Sequence, residues 1–200
     1  MISKPKFKIC RRLGPGVYDK CQTPKFSSAA QKGGIMKSRP KAQTEYGIQL
    51  MEKQKIRFSY GITERQLSNY VKRASHVKGA GTVEKFYEEL ELRLDNVIYR
   101  MGLASSRRGA RQMVSHGHFI VNDHKVTIPS CALKAGDIVK IREGSKDKKL
   151  FENLANRLKD YNPPAWLVFD VNKLEGKVLE KPKNTESFLD LNAVLEFYSR

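Results

Sequence analysis

The pattern of apolar and polar positions divides the chain into an irregular beginning, a helical stretch and a stretch that changes from helix to strand. Residues 1–43 show no sustained period and are broken repeatedly by glycine and proline. From Tyr46 to Gly61 apolar side chains recur roughly at helical spacing. Thr63 and Gln66 then give the capping-box pattern that starts a second helix. The pattern predicts an extended start followed by helices.

A third helix is predicted from Val83 to Met101, where apolar residues form a nearly unbroken stripe and Gly102 follows as a stop. The stripe is interpreted as core. The outer face of this helix is expected to carry Glu88, Glu89 and Glu91.

The stretch after this helix predicts a compact α+β module. A shorter helix is expected from an N-cap at Ser105 to His116, with Gly117 as its terminator. The period then changes to two, and Asn122-Asp123 is expected to turn a hairpin. Further elements are expected at 138–142 (strand), 150–158 (helix), 166–171 (buried strand) and 189–198 (helix or strand).

Charge points to a polyanionic partner. The chain has 38 Lys and Arg against 21 Asp and Glu, a net charge of +17 at pH 7. Residues 1–60 hold 14 basic residues and only three acidic ones. Such a localised excess favours nucleic acid first and an acidic membrane surface second. No apolar run approaches the roughly 18 residues of a spanning helix, so no membrane span is predicted.

Cysteine, metal-binding and catalytic patterns add little to the functional prediction. Three scattered cysteines are expected to be reduced and intracellular, since they are too few for a disulfide framework. The spacing of Cys10 and Cys21 does not match a zinc site, and no cofactor is predicted. No catalytic or phosphate-loop motif is found. No secretory signal is expected at the N-terminus, which is interpreted as mature.

The short helix carries the best nucleic-acid candidates. Arg107 and Arg111 are four residues apart and share a helix face, with Gln112 and His116 as neighbours able to donate hydrogen bonds. Lys125 of the hairpin is expected within reach. Arginine suits bidentate phosphate contact. An ordinary solvated helix face stays open as the alternative.

Two segments of the module carry a long and specific motif, Arg93-Leu94-Asp95-Asn96-Val97-Ile98-Tyr99-Arg100-Met101-Gly102 and Ala110-Arg111-Gln112-Met113-Val114-Ser115-His116-Gly117-His118. Further segments that belong to the same pattern are 46–50, 52–55, 60–61, 64–66, 121–122, 133–139, 141–143, 164–167 and 196–200. Together these segments closely resemble the S-four family of small-subunit ribosomal proteins, and the resemblance covers roughly 150 of the 200 residues.

The resemblance implies an α+β protein with a mainly helical domain and an inserted RNA-binding module of two helices, a hairpin and further strands. A basic arm is expected at 1–45. The helical domain is expected at 46–93 and is joined by 180–200, and the module is expected at 94–179.

The resemblance also implies function and partners. Family members are structural constituents of the small ribosomal subunit that bind ribosomal RNA early in assembly and help to line the channel through which mRNA enters. The expected partners are small-subunit rRNA, mRNA and neighbouring ribosomal proteins, with no membrane. The candidate RNA-binding residues are Arg11, Arg12, Lys37, Arg39, Lys53, Lys55, Arg57, Arg65, Arg107, Arg111, Gln112, His116 and Lys125.

Departures from the family pattern favour a particular form. Phe7 stands where some members carry a zinc-binding cysteine, which implies a zinc-free form with no metal site. This feature and Ser115-His116-Gly117-His118 are similar to alphaproteobacterial and mitochondrial members. The diverged N-terminal arm, in which no convincing presequence is found, favours a mitochondrial ribosome, with the bacterial cytoplasm as the alternative. No enzyme activity is expected. The rival interpretations are a free regulatory RNA binder and an accessory of an RNA-modifying enzyme.

Overall fold

The computed structural model describes residues 5–24, 26, 44–76, 81–146, 148, 150–152, 154, 158, 161–171, 173–183 and 188–199. The chain divides into two compact units: unit 1 comprises residues 1–86 and 185–200, and unit 2 comprises residues 87–184. The predicted α+β class is confirmed. The finer predicted boundaries at 45, 93 and 179 stay a prediction.

The helices are α1 (Lys6–Leu13), α2 (Glu45–Tyr60), α3 (Glu64–Ser75), α4 (Gly81–Glu91), α5 (Leu94–Arg100), α6 (Arg107–Ser115) and α7 (Leu191–Ser199). The strands are β1 (Phe119–Val121), β2 (His124–Lys125), β3 (Ile138–Ile141), β4 (Leu167–Asp170) and β5 (Glu175–Val178).

The capping signals in unit 1 act as the sequence predicts. Helix α2 ends at Gly61, which adopts the left-handed conformation with φ 62°. In the capping box of α3 the backbone N–H of Gln66 donates to Thr63 Oγ1 at 3.3 Å, and Thr63 N–H donates to Gln66 Oε1 at 3.1 Å. These bonds satisfy backbone donors that a helix start otherwise leaves unpaired.

The beginning of the chain differs from the expected extended arm. Helix α1 forms because Ile9 and Leu13 lie one turn apart and bury together with Val17. Cys10 and Cys21 are joined by a disulfide, so the expectation of reduced cysteines is wrong for this pair. Two short 3-10 turns connect them, and residues 27–43 lie outside the described part of the chain.

Helix α7 completes unit 1 and decides between the helix and strand alternatives at the C-terminal end. Asp190 Oδ1 accepts the backbone N–H of Ala193 at 3.0 Å and so caps the helix start. Leu191, Ala193 and Val194 are buried. Between α2 and α7, the side-chain amide of Gln49 donates a hydrogen bond to the carboxylate of Glu196 at 3.1 Å.

The long helix predicted from Val83 to Met101 is two helices, because the backbone between them pairs elsewhere. Leu94 N–H donates to the carbonyl of Cys131 at 2.9 Å, and Asp95 N–H donates to that of Pro129 at 3.1 Å. Arg93 forms a β-bridge with Ala132. Tertiary pairing therefore overrides an apolar stripe that continues through both helices.

An antiparallel sheet with strand order β2-β1-β3-β5-β4 forms one layer of unit 2. Asn122 and Asp123 take φ values of 46° and 65°, which confirms the predicted hairpin turn between β1 and β2. One sheet face packs with α5 and α6 around a core that includes Ile98, Val114 and Phe119. Residues 153 and 155–157 of the helix predicted at 150–158 lie outside the described residues.

Candidate nucleic-acid interface

Helix α6 is held to the core by one face and presents the other to solvent. Its N-cap is Ser106, one residue later than predicted, and Ser106 Oγ accepts the N–H of Gly109 at 3.2 Å. Ala110, Met113 and Val114 are buried, as predicted. The exposed face carries Arg108, Gln112 and His116, which follow one another at a spacing of four. The helix therefore displays one cation and two hydrogen-bonding side chains in a row.

A buried carboxylate holds one of the predicted arginines. Asp95 has a side chain only 4% exposed and accepts from two guanidinium groups, a set that we call the Asp95 cluster (Arg93, Asp95 and Arg111). Arg93 Nη2 lies 2.8 Å and Arg111 Nη2 lies 2.7 Å from Asp95 Oδ2. Burial of ions at this depth is tolerated because each charge is paired and hydrogen-bonded.

Arg107 is positioned by a neighbouring polar network. Its Nε donates to Asn96 Oδ1 at 2.7 Å, and its guanidinium lies 4.5 Å from the centre of the Tyr99 ring. Asn96 Nδ2 donates in turn to Glu91 Oε2 at 3.0 Å. Arg107 is thereby ordered by contacts within the protein.

Glu91 corrects one expectation about the surface. Its side chain is 0% exposed and accepts from Arg100 Nε and Nη2, each at 2.9 Å, so it does not lie on an outer face. The break after α4 turns this residue inward toward α5.

A slot opens beside the exposed face of α6. Its volume is about 300 Å³. The lining residues are Leu103, Ala104, Ser105, Gly109, Gln112, Met113, His116, His118 and Leu150. The predicted residues Gln112 and His116 therefore border a concave space. Much of the lining is apolar, while Ser105, Gln112 and His116 supply polar groups.

The hairpin brings a further cation to the end of α6. His124 and Lys125 are both exposed. The stem of Lys125 passes so close to Gly117 that a Cβ at this glycine would overlap it, and Gly117 also has a positive φ of 70°. Lys125 therefore lies alongside the C-terminal end of α6, as predicted from the sequence.

His118 stands behind this surface as a neutral group. Its ring is buried at 4% exposure, and Nδ1 lies 3.0 Å from Ser145 Oγ. Burial lowers the pKa of His118, and the positive charges of Lys148, His116 and Arg142 lower it further. The charge available here at neutral pH therefore comes from other residues.

In unit 1 the predicted cations of α2 are paired with carboxylates. Lys53 Nζ and Arg57 Nη1 lie 2.9 and 3.0 Å from the carboxylate of Glu64, and Tyr198 donates to it at 2.6 Å. We call this the Glu64 cluster (Lys53, Arg57, Glu64 and Tyr198). Lys55 pairs with Glu52 at 2.5 Å.

The Glu64 cluster shifts the pKa of two of its members. Burial acts to raise the pKa of Glu64, but the hydrogen bonds from Tyr198 and Lys53 and the charges of Lys53 and Arg57 lower it below the usual value. Burial and the hydrogen bond to Glu64 raise the pKa of Tyr198. Glu64 is therefore held as a carboxylate.

The predicted RNA-binding residues fall into distinct groups by exposure. Exposed members are Arg11, Arg12, Arg65, Gln112, His116 and Lys125. Half-buried members are Lys55, Arg57, Arg107 and Arg111, whereas Lys53 is buried and Lys37 and Arg39 lie outside the described residues. The structure brings Arg107, Arg111, Gln112 and His116 together on α6.

The sequence reasoning missed the groups that order the arginines. Asp95 and Asn96 follow Leu94 inside an apolar stripe, and two consecutive polar residues at such a position signal an internal network. From the sequence, Arg108 counted only as additional charge and stayed outside the candidate set, but its exposure on α6 makes it a stronger surface candidate than Arg111.

Metal-binding clusters and membrane-spanning helices are both absent from the described residues. No group of three or more His, Cys, Asp or Glu side chains is arranged there to hold a metal ion. Within the same residues, each helix is too short or too polar to cross a membrane.

Comparison with known proteins covers both units. Residues 2–91 match the family model "Ribosomal protein S4/S9 N-terminal domain", and residues 92–139 match the model "S4 domain". The small ribosomal subunit protein uS4 of Syntrophomonas wolfei is 40% identical over 199 residues, with 96% of this chain and 95% of the relative covered. The uS4c protein of Oltmannsiellopsis viridis is 44% identical, with coverage of 98% and 97%.

These matches agree with a basic helical unit joined to a module of helices and a sheet. The class is that of an S4-domain protein, in which both family models lie in order along one chain. The chain belongs to the uS4 family of small ribosomal subunit proteins.

Proposed function

We propose that this chain is a structural, non-enzymatic constituent of the small ribosomal subunit and that it binds ribosomal RNA. The observation that carries the proposal is the full-length similarity to proteins named as small-subunit components, with 40–44% identity in the two relatives described above. The net charge of +17 supports it, because phosphate neutralisation supplies much of the affinity in such complexes.

The exposed residues of the candidate set are proposed to make the direct RNA contacts. On α6 these are Gln112 and His116, which Arg108 joins on the same face. Arg107 and Arg111 are held at the edge of this face by Asn96 and Asp95, so little side-chain freedom is lost when RNA binds. Shape and backbone recognition of folded RNA suits such a surface.

The remaining members of the candidate set are proposed to act in two ways. Arg11, Arg12, Arg65 and Lys125 contact phosphates from exposed positions. Lys53, Lys55 and Arg57 add positive potential while they stabilise unit 1 through their ion pairs.

Finer statements about assembly and location belong to the same proposal. Lys37 and Arg39 are proposed to meet mRNA where it enters the subunit, and neighbouring ribosomal proteins are proposed as further partners. Early rRNA binding during assembly follows from the family resemblance. A mitochondrial ribosome is proposed as the location, with the bacterial cytoplasm as the alternative.

Sedimentation of the native protein tests the proposal. A cell extract is separated through sucrose gradients at moderate and then high salt, and the RNA is recovered from the fractions that contain the protein. We expect residence in a small-subunit particle with its large rRNA in both gradients. Recovery of free protein with many short RNAs would contradict the structural role and favour the regulatory RNA binder.

Fractionation addresses the location. Protein found in ribosomes of purified mitochondria supports the mitochondrial proposal, whereas absence from those ribosomes and presence in cytoplasmic bacterial ones contradicts it.

A further inference from the structure

The slot beside α6 is a small cavity whose lining is part apolar and part polar. Its volume of about 300 Å³ lies at the lower end of the range for small-molecule pockets. Leu103, Ala104 and Met113 give it apolar walls, and Leu150, which is 49% exposed, borders it. The side chains of Gln112 and His116 flank the opening from one helix face.

The polar groups at the rim are available to a ligand. Within the described residues, no hydrogen bond engages the Gln112 side-chain amide or the His116 ring. These residues are one helical turn apart, so both groups can face the edge of a single ring system. The His116 ring also lies 6.0 Å from the His118 ring, so it presents an aromatic surface next to the opening.

Gly109 lies in the first turn of α6 and lines the slot. It is the third residue of α6, where its N–H donates to the N-cap Ser106. In α3 the same position, bonded in the same way to Thr63, is occupied by Gln66. Capping therefore does not require glycine, and glycine is less favourable than alanine within a helix.

Glycine at position 109 destabilises the helix but leaves space in the slot. A Cβ at this position would meet only Ser106 Oγ, at 3.3 Å, within 4 Å. Since Gly109 lines the slot, its missing side chain leaves part of the wall open. Glycine at such a point allows another group to approach the backbone closely.

Charge around the slot identifies the occupant. Arg107, Arg108 and Arg111 lie on the same helix, and Lys125 lies alongside its C-terminal end. A ligand that is polyanionic along its backbone and carries flat rings with polar edges satisfies both the charge and the lining. Unstacked bases of folded RNA are recognised by stacking and by hydrogen bonds to their edges.

We propose that the slot bordered by Gly109, Gln112 and His116 accepts one unstacked nucleobase of the bound ribosomal RNA. The proposal rests on the proposed RNA-binding function and adds a defined position for a base. Gln112 and His116 contact the base edge, the apolar walls cover its faces, and the surrounding arginines hold the adjacent phosphates.

Slot-filling variants of the full chain test this proposal. The probe is small-subunit rRNA transcribed from the same genome, and the dissociation constant is measured over a range of salt concentrations. Gly109→Ala is expected to weaken binding by about tenfold, the scale for loss of one stacked base. The salt slope is expected to stay unchanged, since no phosphate contact is removed. Gln112→Ala is expected to weaken binding in the same way.

Two controls separate the slot from helix stability and from general surface effects. Gly47→Ala makes the same change at the same position after the N-cap of α2, where a Cβ also lies 3.3 Å from the capping oxygen of Thr44. It reports the stability change of a glycine-to-alanine exchange in thermal melts. Ser115→Ala changes an exposed residue of α6 outside the slot and is expected to bind as the wild type does.

Chemical probing gives a second readout. Acylation of rRNA 2′-hydroxyl groups is compared for complexes of the wild type and of Gly109→Ala, and we expect an unpaired nucleotide that only the wild type protects. If Gly109→Ala and Gln112→Ala bind with wild-type affinity and footprint, the slot is not a base site, and the proposed function stands. If the wild type fails to bind the rRNA, the proposed function itself is overturned. If Gly109→Ala has a lowered melting temperature, the binding affinity and footprint of Gln112→Ala decide whether the slot is a base site.

Discussion

The Glu64 cluster of unit 1 and the Asp95 cluster of unit 2 have the same arrangement of charges but differ in how deeply the carboxylate is buried. Each places one carboxylate between two cations, and of these Lys53, Arg57 and Arg111 belong to the candidate RNA-binding set. The Glu64 side chain is 44% exposed, whereas the Asp95 side chain is 4% exposed. Water screens the first cluster and not the second. The number of basic residues in a segment therefore does not show how many are available to a polyanion.

The difference in carboxylate burial also determines how firmly each arginine is held in position. Arg111 bonds to a carboxylate that is itself buried, so its guanidinium is fixed relative to the core of unit 2. Arg57 bonds to a carboxylate near the surface and is 34% exposed. We expect loss of the carboxylate to damage unit 2 more than unit 1.

Replacement of Asp95 by asparagine should give the largest effect. Asp95→Asn removes the carboxylate charge that faces the guanidinium of Arg93, whose side chain is 2% exposed. Removal of one member of a buried ion pair costs about 3–5 kcal/mol. Urea unfolding followed by circular dichroism measures the free energy of unfolding.

Asp123→Asn is the matched control for this change. The Asp123 side chain is 86% exposed and lies 3.5 Å from Lys140 within the same unit. An exposed pair contributes about 0–1 kcal/mol, so this variant should unfold nearly as the wild type does. Equal losses for Asp95→Asn and Asp123→Asn would show that burial does not distinguish the two carboxylates.

A smaller loss is expected from Glu64→Gln in unit 1. The change removes the charge that Lys53 and Arg57 face, but water reaches this carboxylate, so a loss of about 1–2 kcal/mol is expected. The folded pKa of Glu64 is lowered from 4.5, so its stabilising contribution is present above pH 4.5 and is lost as the pH falls through the folded value. Glu64→Gln should therefore weaken the dependence of unfolding free energy on pH below 4.5.

Tyr198→Phe provides the comparison for Glu64→Gln. It removes the 2.6 Å hydrogen bond to Glu64 and leaves both cations paired, so a loss of about 1 kcal/mol is expected. Its pH dependence below pH 4.5 should lie between those of the wild type and Glu64→Gln, because loss of the Tyr198 hydrogen bond raises the folded pKa of Glu64 while Lys53 and Arg57 still lower it. An unchanged acid profile in Glu64→Gln would contradict the role of this cluster in acid stability.

Sequence patterns predicted the elements whose signals are local. The capping box at Thr63, the turn at Asn122-Asp123 and the stop at Gly61 each depend on neighbouring residues and are confirmed. The break between α4 and α5 depends on pairing with residues 129–133, which no local period reveals. Helix α1 was missed because its few apolar residues lie in a short segment surrounded by lysine and arginine.

The candidate site was predictable in type and only partly in detail. The spacing of Arg107, Gln112 and His116 located the helix face, because residues four apart share a face whatever surrounds them. Which arginines are paired depends on Asp95 and Asn96, and these lie in another helix. The slot depends on the loop at 103–105 and on Leu150, far apart in sequence.

The smallest expected effect compares two arginines in RNA binding. Arg108 is exposed on α6, whereas Arg57 is held by Glu64. Arg108→Ala should weaken binding to small-subunit rRNA several-fold, by about 1 kcal/mol, and reduce the salt slope by about 1, because one phosphate contact is lost. Arg57→Ala should lower the melting temperature of the chain and leave the salt slope unchanged. Both variants are measured by filter binding across salt concentrations and by thermal melts.

The pair of arginines is informative because charge alone predicts the same result for both. Each substitution removes one positive charge, so a change in the long-range potential of the whole protein affects association similarly in the two variants. Only direct contact with a phosphate predicts a change of slope in one and not in the other. If both variants reduce the slope equally, the ion pair of Arg57 with Glu64 opens when RNA binds. If neither variant reduces the slope, Arg108 makes no phosphate contact, and the predicted difference between the two arginines is wrong.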